Sequence, residues 1–133
     1  MKNYSFLLLA LFGCVGPPDP DHGLILNKPV LINSATAFSF TIRSKNHNFD
    51  EEYELSLTSN GSKKIISSLI VSDYSGADTL LIELKDFKDD IIYNYKLNSN
   101  ISILDDNSNI LPVKANIRLN NFSGIIDWSV VLK

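Results

Sequence analysis

The sequence predicts an all-β fold: one β-sandwich of about seven to eight short antiparallel strands. Three observations predict it. Apolar and polar residues alternate with period two in stretch after stretch, the pattern of strands that cover a core on one face only. Helix formers are scarce, with a single Met, no Gln and few Ala and Glu, while β-branched and aromatic residues are plentiful. Turn-forming Asn, Ser, Asp and Gly cluster between the alternating stretches. The 133 residues suffice for one ordinary domain, and 44% hydrophobic content supplies a core and excludes global disorder.

The elements follow in order. GLILNKPVLI, 23–32, reads as a strand that Pro29 confines to an edge. FSFTIR, 38–43, sends Phe38, Phe40 and Ile42 inward. EYELSLT, 52–58, does so with Tyr53, Leu55 and Leu57, and SNGS, 59–62, reads as the hairpin turn after it. KKIISSLIV, 63–71, is a further strand. DTLLIEL, 78–84, buries Leu80, Ile82 and Leu84, and IYNYKL, 92–97, puts Tyr93, Tyr95 and Leu97 on one face. DDNSN, 105–109, is expected to turn between ISIL and ILPV. VKANIRL, 113–119, and IDWSVVL, 126–132, close the chain as two strands, with Ser123-Gly124 as the turn between them and Ser75-Gly76 marking another.

The amino end reads differently. In MKNYSFLLLALFGCVG, Lys2 precedes an apolar run, Phe6 to Phe12, that is too short for a bilayer core of ~30 Å and has the length of a signal-peptide hydrophobic region. Leu11-Phe12-Gly13-Cys14 resembles the bacterial lipobox, with Phe12 where that family usually carries a smaller residue. The resemblance implies cleavage between Gly13 and Cys14 and lipidation of Cys14, the only cysteine. Loss of Lys2 then leaves the chain one charge more negative. An ordinary secretory signal and a short apolar strand of a cytosolic protein are the alternatives. A lone thiol exported without a role would be an exposed reactive group, which favours lipidation. Val15 is not the Asp that retains enterobacterial lipoproteins at the inner membrane, so the resemblance implies the outer membrane, facing the periplasm or the cell surface. Residues 14–23, with three prolines in GPPDPDHG, read as a tether, extended at ~3.1 Å per residue. The expected organisation is a signal peptide over 1–13, the tether over 14–23 and the β-sandwich over 24–133.

LKDFKDDIIYNYKL, 84–97, resembles the E–F corner of fibronectin type III and other immunoglobulin-like domains through Leu84, Phe87 and Tyr93. The resemblance extends through the polar turn and Leu-Pro to about residue 112. It implies an Ig-like sandwich in which the Tyr93 hydroxyl pins the corner by bonding to upstream backbone. Other sandwiches and a small barrel remain alternatives, since the chain lacks a cysteine pair and places its one tryptophan, Trp128, on the last strand.

Little in the sequence carries chemistry. Asp105 to Asn109 fails as an EF-hand loop because Ile110 stands at the glycine position and Asn116 at the glutamate position. Asp86, Asp89 and Asp90, interleaved with lysines, read as a soluble corner, and Asp50-Glu51-Glu52 as a charged edge. His22 in the tether and His47 in an expected loop have no partner for metal or nucleophile chemistry. G-x-S-x-G, P-loop, G-x-G-x-x-G and H-E-x-x-H motifs do not occur, and Asn60 and Asn121 head sequon matches expected by chance in an Asn/Ser-rich chain. Formal net charge −3 gives no electrostatic reason for a nucleic-acid or anionic-lipid partner. Tyr74, in SDYSGAD, and Phe122, in NNFSG, are the aromatics placed in loops, and loops at one end of a sandwich are where recognition is expected. The sequence thus points to a non-catalytic, lipid-anchored envelope protein without cofactor or metal. Its partners are the membrane through Cys14 and an envelope protein or glycan. An accessory subunit of an envelope assembly without its own ligand is the second reading. A hydrolase is a third, for which the sequence offers no catalytic set.

Overall fold

A computed structural model of the chain describes residues 23–58, 64–76 and 78–133. Gly13, Cys14, His22 and the expected turn at 59–62 lie outside them. The described residues form seven strands and no helix: β1 (Val30–Asn33), β2 (Ala37–Glu54), β3 (Ile65–Ser75), β4 (Leu80–Lys85), β5 (Ile91–Leu97), β6 (Ile101–Ser108) and β7 (Lys114–Leu132). All pairings are antiparallel. The all-β, single-domain sandwich expected from the alternation is the architecture found.

Two strands are far longer than the alternation suggests. β2 runs 18 residues and β7 runs 19. Each fuses two segments that the sequence separates, 38–43 with the start of 52–58, and 113–119 with 126–132. His47 therefore lies on a strand and not in a loop, and Ser123-Gly124 is not a turn. The alternation in these strands does not stop; it changes phase. In β2 the inward positions are even-numbered through Ser44 and odd-numbered from Phe49. In β7 they are odd-numbered through Leu119 and even-numbered from Phe122. The pairing of β2 with β7 shows why. Between Ser44 and His47, β2 carries one extra residue; between Leu119 and Phe122, β7 carries one. Each is a β-bulge, which inverts the facing of everything beyond it.

The bulges are built from residues that tolerate positive φ. Asn46 (φ 47) and Asn121 (φ 45) adopt the left-handed conformation, which asparagine reaches more readily than other non-glycine residues. They also bond across the strands. The Asn46 amide donates to Ser123 Oγ (2.9 Å), Ser123 Oγ donates to Asn46 Oδ1 (3.2 Å), and the Asn121 amide donates to Asn48 Oδ1 (2.6 Å). A third bulge falls in β3 between Ser72 and Ser75, with Asp73 at φ 52.

Because β2 and β7 bend at their bulges, the hydrogen-bonded sheet folds over into two layers, as at the corners of sandwiches. The first layer has the order β1, first half of β2, second half of β7, β3, β6. The second has the second half of β2, first half of β7, β4, β5. This is the strand order of a jelly roll. It differs from the immunoglobulin order, where the second strand lies beside the fifth; here β2 lies between β1 and β7. The segment 84–97 forms a β4–β5 hairpin, with Leu84 buried and Phe87 exposed. Tyr93 does pin a neighbouring strand, but its hydroxyl accepts from the downstream amides of Asn107 (3.2 Å) and Ser108 (3.1 Å) on β6. The upstream bond implied by the resemblance is absent among the described residues.

The core between the layers is the expected inward set. Phe38, Phe40, Ile42, Leu80, Ile82, Leu84, Ala115, Ile117, Leu119, Ile126, Trp128 and Val130 are all fully buried. One polar network lies among them. Trp128 Nε1 donates to Ser67 Oγ (2.9 Å), and Tyr95 Oη lies 2.9 Å from Ser67 Oγ and 2.8 Å from Asp105 Oδ2. The phenol has one proton, which the Asp105 carboxylate takes; Ser67 donates to the phenol oxygen and accepts from Trp128. The network ties β5 of one layer to β3, β6 and β7 of the other. Burial holds the Tyr95 phenol above its ordinary range; the Ser67 bond opposes this and the Asp105 carboxylate adds to it.

Two predictions follow from this construction. Gly124 has φ 146, and a Cβ there would lie 2.9 Å from the Ser72 carbonyl oxygen and 3.2 Å from Tyr74 Cα. Gly124→Ala is expected to lower stability by about 1–3 kcal/mol from backbone strain alone, read as a lower urea midpoint at unchanged slope. Tyr95→Phe is expected to cost about 1–3 kcal/mol near neutral pH, because Asp105 and Ser67 lose a partner. The folded state holds the Tyr95 proton more tightly than the unfolded chain, whose phenols titrate near 10.0. Stability from this group is therefore complete below about pH 10 and is lost as pH rises above it. A denaturation series from pH 8 upward should show a shallower alkaline decline for Tyr95→Phe than for the wild type.

Candidate functional site

The β2 and β3 bulges flank a cleft of about 560 Å³ at one end of the first layer. β2 contributes Arg43 to Asn46, β3 contributes Asp73 and Ser75, and β7 contributes Ser123 to Ile125. Leu26 closes the cleft from the segment before β1. That segment is pinned there: the Asn27 amide donates to the Arg43 carbonyl (2.8 Å), and the Lys45 amide donates to Asn27 Oδ1 (2.8 Å). Asn27 is itself at φ 59. The chain therefore enters the described domain directly beside the cleft.

Register places the charges. Arg43 pairs with Ile125, which pairs on its other side with Ser72, the neighbour of Asp73. Two strand spacings, about 10 Å, thus separate the basic wall from the acidic one. Arg43, Lys45 and Asp73 are exposed, and their side chains make no ion pair or hydrogen bond among the described residues. The Ser44 hydroxyl is buried with no hydrogen-bond partner among them, a costly state for a polar group. Elsewhere four of the described cations are engaged in ion pairs. Arg118 pairs with Asp50 (3.0 Å), Lys114 with Asp89 (2.7 Å) and Glu52 (3.8 Å), Lys85 with Glu52 and Glu83 (3.8 Å each), and Lys64 with Asp106 (2.5 Å). Such exposed pairs add little stability; Arg43 and Lys45 have no such partner among the described residues and are open to a ligand. The arrangement suits non-covalent recognition of a small polar molecule carrying both charges. It holds no histidine and no cysteine, and Asp73 is its one carboxylate.

The residues singled out from sequence fall elsewhere. Tyr74 and Phe122 do meet, with ring centroids 5.8 Å apart, but both lie on strands and not in loops. Phe122 is buried, because the β7 bulge turns it inward. Tyr74 is half-buried, and its hydroxyl donates to the Asp78 carbonyl. Neither ring is free to form a recognition platform. Asp105 to Ser108 is strand β6 and not a turn, with Asp105 held by Tyr95 and Asp106 by Lys64. Asp86 is buried because it organises the β4–β5 connection, accepting from the amides of Lys88 (2.7 Å) and Asp90 (3.0 Å). Asp50 to Glu52 lie in β2, and Asp50 and Glu52 pair with Arg118, Lys85 and Lys114 across the outer face of the second layer. His47 sits at the β2 bulge against Phe49, centroids 6.1 Å apart. No group of three or more His, Cys, Asp or Glu side chains placed to hold a metal occurs among the described residues.

The cleft itself was not read from sequence. Its signal is three polar interruptions of an otherwise regular alternation, RSKN, SD and NNFSG, each with an Asn or Asp suited to positive φ. No family model and no curated protein matches the chain.

Phe122→Ala tests its placement in the core. The substitution is expected to cost about 3–5 kcal/mol of unfolding free energy, whereas a ring in a mobile recognition loop would cost far less. Urea denaturation of the two chains side by side reads the difference.

Proposed function

We propose that this protein is a bacterial lipoprotein, anchored by acyl chains on Cys14 and facing the periplasm or cell exterior, probing its surroundings through a non-catalytic β-sandwich. The observation that carries the reading is Leu11-Phe12-Gly13-Cys14 at the end of an apolar run, with the only cysteine of the chain at the lipid position. The Pro-rich segment that follows suits a tether. The cleft supports a binding role: its charges are unpaired among the described residues, and it lacks a nucleophile–base pair.

A second reading, an accessory subunit of an envelope assembly, is favoured by β1. Among the described residues this strand pairs on one side only, with β2, and it exposes Val30, Leu31 and Ile32. An extended partner segment adding to that edge would cover them.

Expression in a lipoprotein-processing bacterium tests the anchor. The wild type is expected to yield a mass beginning at residue 14 plus acyl chains and to partition into detergent. Cys14→Ala should lose both properties. A wild-type product that is unacylated, or cut at another position, overturns the reading. Stoichiometric recovery of one cross-linked partner through β1 would select the accessory-subunit form.

A further inference from the structure

We propose that the cleft takes the headgroup of an aminoalkyl phospholipid, its phosphodiester held by Arg43 and Lys45 and its primary ammonium by Asp73. The ligand's source, the bilayer that holds Cys14, rests on the anchored reading above.

Four observations converge on this chemistry. The basic and acidic walls face each other across about two strand spacings, so a ligand with an anion at one end and a cation at the other satisfies both. Charge-assisted bonds to phosphate oxygens suit Arg43 and Lys45. Ser75 and Ser123 line the cleft as further hydroxyls. Finally, the mouth is aliphatic. Leu26 lines the cleft and is 48% exposed, and neighbouring Ile25 is 66% exposed. Leu26, at the cleft, would meet the glyceryl and acyl part of a lipid, and Ile25 adds exposed apolar surface next to it in sequence.

The geometry of attachment agrees. The chain enters the domain at Gly23, beside Leu26 and nine residues after Cys14. At ~3.1–3.6 Å per residue this end of the domain stays within about 30 Å of the anchor. The net negative charge of the chain does not oppose the interaction, because an aminoalkyl phosphodiester is net neutral. It is this zwitterionic match, and not attraction to an anionic surface, that the pairing of Asp73 with Arg43 and Lys45 specifies. The bound headgroup would seat the sandwich on the membrane in one orientation, with β1 and its open edge beside the bilayer.

The test uses the full chain carrying Cys14→Ser, so that no acyl chain contributes, with its backbone amides followed by NMR. The probe is short-chain phosphatidylethanolamine below its micelle-forming concentration. Saturable shifts are expected at Lys45, Asn46, Ser75, Ser123 and Gly124. Arg43→Ala/Lys45→Ala should weaken binding at least about tenfold, as expected for two lost charge-assisted bonds. These side chains are exposed, and an otherwise unchanged amide spectrum confirms the fold. Asp73→Asn should keep phosphate binding but erase the preference for phosphatidylethanolamine over its choline counterpart. Absence of saturable shifts, shifts centred elsewhere, or an unaltered response in the double variant overturns the site. Saturation by free phosphoethanolamine at the same concentration as the lipid overturns the bilayer source. Acylation of wild-type Cys14 is read separately by mass, so a failed anchor and a failed headgroup site give different results.

Discussion

The fold depends on two reciprocal bulges. One extra residue in β2 and one in β7 turn two long strands around the same corner, so that both layers share them. Without the phase change, a strand of 18 residues would present its apolar set to the core in one half and to water in the other. With it, Phe38, Phe40 and Ile42 line one layer, and Phe49 and Tyr53 line the other. Their rings meet: Phe40 lies 5.7 Å from Phe49 and 6.2 Å from Tyr53. The cross-bonds of Asn46 with Ser123 and of Asn121 with Asn48 lock the two corners together. Neither bulge can slip without moving the other.

That constraint also decides how much of the molecule could be read from sequence. Alternation identified the inward residues well, because burial on one face imposes period two wherever the strand is regular. Every aromatic and aliphatic residue expected inward on 38–43, and Leu80, Ile82 and Leu84, is buried. What alternation could not show was continuity. A bulge looks like a loop in a one-dimensional pattern, since both break the period and both carry Asn, Ser and Gly. The difference lies in pairing: Asn46 and Asn121 find each other's strands 75 residues apart, a non-local fact. The same blindness produced the misplacement of Phe122. Its neighbours NN and SG read as a turn, yet Gly124 is there to let Ser72 approach, and Phe122 fills the core. The cleft shares this cause, because Arg43, Asp73 and Ser123 become neighbours only through the non-local pairing of β2 and β3 with β7.

The two polar clusters of the domain obey opposite rules. Around Ser67, every group is matched: Trp128 donates, Tyr95 is held between Ser67 and Asp105, and the network is closed. Such a closed set in a low-dielectric core fixes one arrangement of the layers. At the bulged corner, Asn46 and Ser123 bond each other, but the Ser44 hydroxyl and the charges of Arg43, Lys45 and Asp73 are left without partners among the described residues, on a rim where Asn46 and Asp73 sit at positive φ. Sites that keep unsatisfied groups and unusual backbone together are where recognition is commonly built. The contrast separates a bulged corner that carries open charges from a closed tyrosine–tryptophan network that holds the layers together.

The position of β1 connects the corner to the rest of the surface. This strand is four residues long, follows Pro29 and Lys28, and exposes its side chains along its whole length. Short length, a proline and a flanking lysine are the usual protections of an open edge. Here they guard a strand whose aliphatic residues would otherwise pair indiscriminately. The protection is incomplete, however, because Val30 and Ile32 remain half or more exposed. A domain tumbling freely would carry that patch as a liability. On the proposed anchoring, a domain held by its amino end would present the edge only to what shares the membrane surface. Under the proposed anchoring, the corner that makes the fold would also set which face of it meets the membrane.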